Sequence, residues 1–241
     1  MDGRILLPAN GIGATVGDMR GRTVPVAVAG AAAGALSVLT ARWSALHWGA
    51  TTEEAREPLP GDEILPRAAL VATRSITIEA PLEQVWPWVV QLGADRGGFY
   101  SYDRLENLLG CRLRSADTVV EAWQQLAVGD LVRLHPKVAL AVAAVEPGRF
   151  LVLHAAPASA ASGSGPPSAA AAAAPYDFTW SFVLRRHPHR ATRLITRERF
   201  DYTHAWSPAL AEPVAVASSV MSQKMLRGIR DRAEGRLPVT L

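Results

Sequence analysis

The stretch Tyr176–Arg186, YDFTWSFVLRR, alternates without a fault. Tyr176, Phe178, Trp180, Phe182 and Leu184 fall on one set of positions; Asp177, Thr179, Ser181, Val183 and Arg185 fall on the other. A period of two is the signature of a β-strand with one aromatic face. The turn HPHRA leads into TRLITRERFDY, where Leu194, Thr196, Glu198, Phe200 and Tyr202 form the more apolar set. Burying both apolar sets on one side forces even positions opposite even positions, because a one-residue slip would turn each set to the other face. That register places Glu198 near Trp180 and turns Arg197 and Arg199 to the opposite face, unless a bulge reverses them. A carboxylate among aromatic rings is costly unless a cation sits beside it.

Other strands precede this hairpin. LVATRSITIEA, Leu70–Ala80, reads as a strand with Ile76 and Ile78 on one face and Ser75, Thr77 and Glu79 on the other. Pro81 suits the first position of a helix whose buried stripe is Val85, Trp88, Val89 and Leu92, with Pro87 inside it and Gly93 at its end. Thr118–Trp123, Leu131–His135, Val138–Val145 and Phe150–His154 read as strands joined by turns at Val128–Asp130 and Glu146–Gly148. The alanine-rich stretch 155–175 is a low-complexity loop within this meander. A long C-terminal helix is expected to open at Pro213, with Val214, Ala217, Met221, Met225, Gly228 and Ile229 along one face.

Between the first helix and the meander lies RGGFYSYDRLENLLGC, Arg96–Cys111. Gly97 and Gly98 turn the chain, Ser101 can cap a short helix over Tyr102–Leu109, and Glu106 falls on the edge of its apolar arc. Glu106 is therefore a partly buried carboxylate, with a salt bridge or a capping-box contact to Asp103 as the plain structural reading.

The N-terminal part is of another kind. Residues 1–22 are polar and aperiodic, the mark of a disordered tail. Residues 23–41, TVPVAVAGAAAGALSVLTA, carry no charge and approach the roughly 20 apolar residues that cross a bilayer. Arg42, Trp43, His47 and Trp48 follow as interfacial residues would, and Gly30 and Gly34 form a GxxxG pattern. A single-pass anchor of undetermined orientation is the expectation, with a cytoplasmic protein as the alternative. Residues 42–64, punctuated by EPLPGDEILP, read as a linker to a domain over 65–235.

Composition removes several functions. The formal charge of +3 is small for 241 residues, and no basic stripe accompanies it, so nucleic acid is not an expected partner. Cys111 is the only cysteine, which excludes an intrachain disulfide and a CxxC metal knuckle. His187 and His189 have only arginine and proline for company, so no metal site is expected, and no P-loop, dinucleotide fingerprint or nucleophile elbow occurs. No cofactor is implied.

The order of strand, two short helices, antiparallel strands and long terminal helix, with SITIEAPLEQVWPWVVQLG, GGFYSYDRLENLLGC, VGDLVRLHP and YDFTWSFVLR…TRLITRERF, resembles the SRPBCC group of the START-like helix-grip superfamily, in its polyketide cyclase/dehydrase-like branch. The resemblance covers about Leu65 to Glu234. It implies an α+β helix-grip fold, a curved antiparallel sheet around the C-terminal helix with an apolar cavity between them. Trp180, Phe182, Phe200, Met221 and Met225 are then candidates to line that cavity. Tyr100, Tyr102, Trp123 and Arg197 are further candidates to touch a ligand, and Glu106 and Glu198 are the candidate acids or bases. The expected function is binding of a small hydrophobic or aromatic molecule. The alternatives are a cyclase, aromatase or dehydratase using a cavity carboxylate, and a membrane-tethered domain that docks a protein. Oligomeric state is left open.

Overall fold

In the computed structural model, residues 36–37, 39–102, 107, 114–135, 138–155 and 176–236 are described. The chain separates into two units, Met1–Ala41 and Arg42–Leu241. In the first, residues 36–37 and 39–41 are helical; the expected tail and most of the apolar segment lie outside the described residues. Among the described residues no helix is long and apolar enough to cross a membrane.

The second unit is an α+β domain. Its elements are α1 (Thr52–Arg56), β1 (Leu70–Ile78), α2 (Leu82–Val90), β2 (Leu131–His135), β3 (Val138–Glu146), β4 (Phe150–Ala155), β5 (Tyr176–His187), β6 (Ala191–Tyr202) and α3 (Ser207–Ala233). The strands form one antiparallel sheet in the order β1-β6-β5-β4-β3-β2. This sheet with its long C-terminal helix is a helix-grip fold. Even positions meet even positions across β5 and β6, with Trp180 opposite Glu198 and Phe182 opposite Thr196. The inward face carries Ile76, Ile78, Phe182, Leu184, Leu194, Leu151 and Leu153, which pack with Val85, Trp88, Val89, Met225, Leu226 and Ile229 of the helices.

The outer face is covered too. Residues 42–64, expected as a linker, belong to the compact unit: Leu46 packs with Leu70, Ala72, Phe200 and Ala215 on the inward side, and the chain from Thr51 onward runs across the back of the sheet. A capping box between Thr51 and Glu54 starts α1. Arg193, Arg197 and Arg199, on alternate positions of β6, then bind this strap. Arg193 Nε lies 2.7 Å from Glu54 Oε1, Arg197 Nη1 lies 2.6 Å from Asp62 Oδ2, and Arg199 donates to the Leu65 carbonyl at 2.8 and 3.0 Å. Leu59 fills the apolar gap against Val183 and Ile195. Prolines and acids made the segment look like a spacer; the missing half of the pattern was the arginines of β6, five strands further along the sequence.

Two other elements differ from expectation. Thr118–Trp123 is not a strand, and only Glu121–Trp123 forms a single 3-10 turn. The terminal helix opens at Ser207 and passes through Pro213. Its buried positions in that first half are Ser207, Ala211, Ala215 and Ser219, whereas Val214 is exposed. Pro213 is the seventh residue of this helix, past the four whose amides have no partner within it, so the helix gives up one hydrogen bond to the preceding turn there.

Candidate functional site

The inward face of β5 sets the geometry. Trp180 and Phe182 are 4.7 Å apart between ring centroids, and Phe99 reaches Trp180 at 6.3 Å from the loop after α2. Trp180 donates its Nε1 hydrogen to Thr196 Oγ1 at 2.8 Å, so the one polar atom of the indole is satisfied by the neighbouring strand. Phe178, Tyr176 and Phe200 continue the row, Phe200 being 4.8 Å from Phe178 and 5.1 Å from Tyr176.

Glu198 sits in this row, and its cation is Arg74. Arg74 Nη1 lies 2.9 Å from Glu198 Oε1, with side chains 0% and 4% exposed. Arg74 also donates to the carbonyls of Ala45 at 3.0 Å and Ala215 at 3.2 Å, spreading its charge over three acceptors. From α3, Ser222 donates to Glu198 Oε1 at 2.9 Å. Ser218, one turn earlier on the same helix face, lies 2.9 Å from Oε2 and 3.0 Å from the Ala215 carbonyl. A hydroxyl has one proton, so Ser218 serves one of these acceptors at a time. Oε2 is therefore the least committed acceptor of the cluster.

Arg74 was not among the sequence candidates. A signal existed: in LVATRSITI the inward positions are Leu70, Ala72, Arg74, Ile76 and Ile78, and an arginine in that set demands a buried acid. Glu198 is the one carboxylate on the inward set of the strand beside it.

The remaining candidates disperse. Met225 is buried in the main core, and the Met221 carbonyl accepts from Ser101 Oγ at 3.2 Å. Arg197 faces away from the aromatic row. Its guanidinium is taken by Asp62, the carbonyls of Glu54 and Glu57, and Thr73, and burial lowers its pKa while Asp62 opposes that.

Tyr100 is a corner post. Its backbone is left-handed at φ 55°, its hydroxyl accepts from Gln91 Nε2 at 2.9 Å, and Arg232 lies 4.5 Å over its ring. Burial pushes its phenol well above the usual range. Gly228 of α3 allows this contact, since a Cβ there would come within 2.3 Å of the Tyr100 carbonyl oxygen. Tyr102 is exposed, and Trp123 is half-buried with its carbonyl accepting from Arg96 Nη2. Glu106 and Cys111 lie outside the described residues. Among the described residues no three His, Cys, Asp or Glu side chains are grouped to hold a metal ion.

No protein-family model matches the chain, and no curated protein matches it. Solved structures align over most of the domain at low identity. Ara h 8.0201 is 13% identical over 69% of this chain and 98% of its own, with a TM-score of 0.43. CalU16 from Micromonospora echinospora is 14% identical over 68% and 84%, with a TM-score of 0.31. The hypothetical protein jhp0584 from Helicobacter pylori is 13% identical over 76% and 99%, with a TM-score of 0.44. The helix-grip assignment rests on this chain's own strand order and terminal helix.

Proposed function

We propose that the domain binds a small apolar or aromatic molecule between the inward face of the sheet and α3, with a donor group of that molecule turned toward Glu198 Oε2. The supporting observation is incomplete filling. Trp180 lies mid-strand near the centre of the sheet, where the backbone is paired on both sides and the outer face is covered, yet it keeps 9% of its surface accessible and its partner Phe99 keeps 8%. Phe182, two residues further along the same face, keeps none. The α3 backbone comes nearest to β1 and α2, and nearer to β6 than to the strands beyond it. An aromatic ligand completing the contact with Trp180 and burying about 150 Å² of its own surface would gain roughly 4 kcal/mol.

Binding is favoured over catalysis by the state of the carboxylate. Glu198 is held by Arg74 and Ser222 through one oxygen, an arrangement that orients a ligand rather than one that delivers a proton.

Titration of the full chain with 1-anilinonaphthalene-8-sulfonate, alongside native mass spectrometry of protein purified from its own host, tests the reading. Saturable probe binding that weakens at least tenfold in Trp180→Ala, with the fold intact by circular dichroism, is expected. A folded chain that neither binds the probe nor carries a small molecule overturns it, as does binding that Trp180→Ala leaves unchanged.

A further inference from the structure

The first half of α3 is inverted. Its small residues Ala211, Ala215 and Ser219 face the sheet, while Leu210, Val214, Val216 and Val220 are exposed, as is Trp206 just before the helix. At about 100° per residue, Trp206, Leu210, Val214 and Val220 share an arc of about 120°; Lys224 continues this line toward the C-terminus, and Arg227, 4.8 Å over the Trp48 ring, lies just beside it. An apolar stripe ending in cations is the pattern of a helix that lies in a membrane interface.

The way the chain enters this unit supplies the second argument. Arg42 is joined to Glu212, within the exposed half of α3, by two hydrogen bonds: Nε to Oε2 at 2.9 Å and Nη2 to Oε1 at 2.7 Å. Tyr202 Oη adds a longer contact to Oε1 at 3.4 Å. Trp43, the next residue, is 54% exposed, the same as Trp206. The nineteen residues that precede Arg42, Thr23–Ala41, are uncharged and mostly apolar. The domain's own chain therefore begins beside the exposed half of α3, where Glu212 holds Arg42.

We propose that this face of α3, with Trp43 and Trp206 at its edge, rests in the surface of an anionic lipid bilayer. The valines and Leu210 enter the acyl boundary, the two indoles sit at headgroup level, and Lys224 and Arg227 meet the phosphates. The contact lies in the membrane plane and is separate from any span by residues 23–41. It is also independent of what occupies the inward face of the sheet.

The test uses the full chain and vesicles of phosphatidylcholine, with or without phosphatidylglycerol, carrying brominated acyl chains that quench nearby indoles. Tryptophan quenching by the anionic vesicles is expected, reduced at least twofold in the Trp43→Phe/Trp206→Phe variant and at least fivefold in Leu210→Glu/Val220→Glu, whether or not the protein still sediments with lipid. Both pairs are exposed, so circular dichroism should report an unchanged fold. Quenching that survives both variants places the lipid contact elsewhere and overturns the proposal. So does the absence of quenching, or equal quenching by vesicles lacking phosphatidylglycerol. A concentration-dependent dimer that shields Trp43 and Trp206 without lipid overturns it in favour of a second copy.

Discussion

On its inward face the sheet offers aromatic and aliphatic side chains with one ion pair among them; on its outer face the same strands offer three arginines in a row. The inward pair, Arg74 and Glu198, is almost wholly buried and held by two serines and two carbonyls, with Arg74 Nη1 meeting Glu198 as an ion pair but making no hydrogen bond. The outward arginines clasp a strap of chain that brings its own acids and carbonyls, and solvent reaches Arg193 and Arg199 in part. A buried charge is tolerable only with all its partners in place, whereas a charge at a wet edge can exchange a partner for water. The two faces should therefore respond to similar substitutions by different amounts.

The largest effect is expected at Glu198. Glu198→Leu leaves Arg74 without its anion in a site that water does not reach, and should cost about 3–5 kcal/mol in urea unfolding. Adding Arg74→Leu should recover much of that loss, since two apolar side chains then replace two charges. A double variant no more stable than Glu198→Leu would mean that Arg74 is held by the Ala45 and Ala215 carbonyls alone.

On the outer face, Arg197→Leu should cost about 2 kcal/mol in the same measurement. The arginine is as buried as its inward counterpart, but its acid, Asp62, keeps Arg199 as a second partner at 3.2 Å. A loss equal to that of Glu198→Leu would erase the distinction between the faces.

How much of this was legible in the sequence follows the same division. The β5–β6 register could be read because strict alternation on both strands leaves one way to put aromatic rings together, and Trp180 opposite Glu198 followed from it. The buried pair was half legible: Glu198 stood out, but Arg74 was passed over inside an otherwise ordinary strand. The strap was not legible, because its partners are arginines on β6 and a list of prolines and acids does not name them. The first half of α3 misled, since apolar periodicity marks the face that avoids water only when that face meets the protein, and here Val214 and Ala217 do not. For Glu106 the reading stands where the sequence left it.

Acid should loosen the outer face through Glu54. Burial by itself raises the Glu54 pKa, but hydrogen bonds from Arg193, the Thr51 amide and the Ser75 hydroxyl bring it down to about 2, against an ordinary 4.5. A carboxyl whose folded value is depressed adds stability above its unfolded value and loses it as pH falls toward the folded one. Amide exchange in Thr51–Leu65 should accelerate as pH drops from about 4.5 to about 2, beyond the change in intrinsic rate. Glu54→Gln should show that acceleration already at neutral pH and little further acid dependence. Exchange that rises equally at Trp180 and Phe182 would show the two faces opening together.

The smallest effect is expected where an ion pair belongs to neither face. Arg186, near the end of β5, lies 3.7 Å from Glu83 at the start of α2, with side chains 81% and 69% exposed. At that distance and exposure both ions keep their hydration, and salt screens what attraction remains. Arg186→Ala should leave the urea midpoint within experimental error at 150 mM salt. Because Arg185, one residue earlier, points to the outer face and holds Glu57 at 2.6 Å, Arg185→Ala should be measurably worse than Arg186→Ala. The ordering of these two adjacent arginines tests whether the strap, rather than arginine content, is what the outer face depends on. Equal effects would return the strap to the status of a surface decoration.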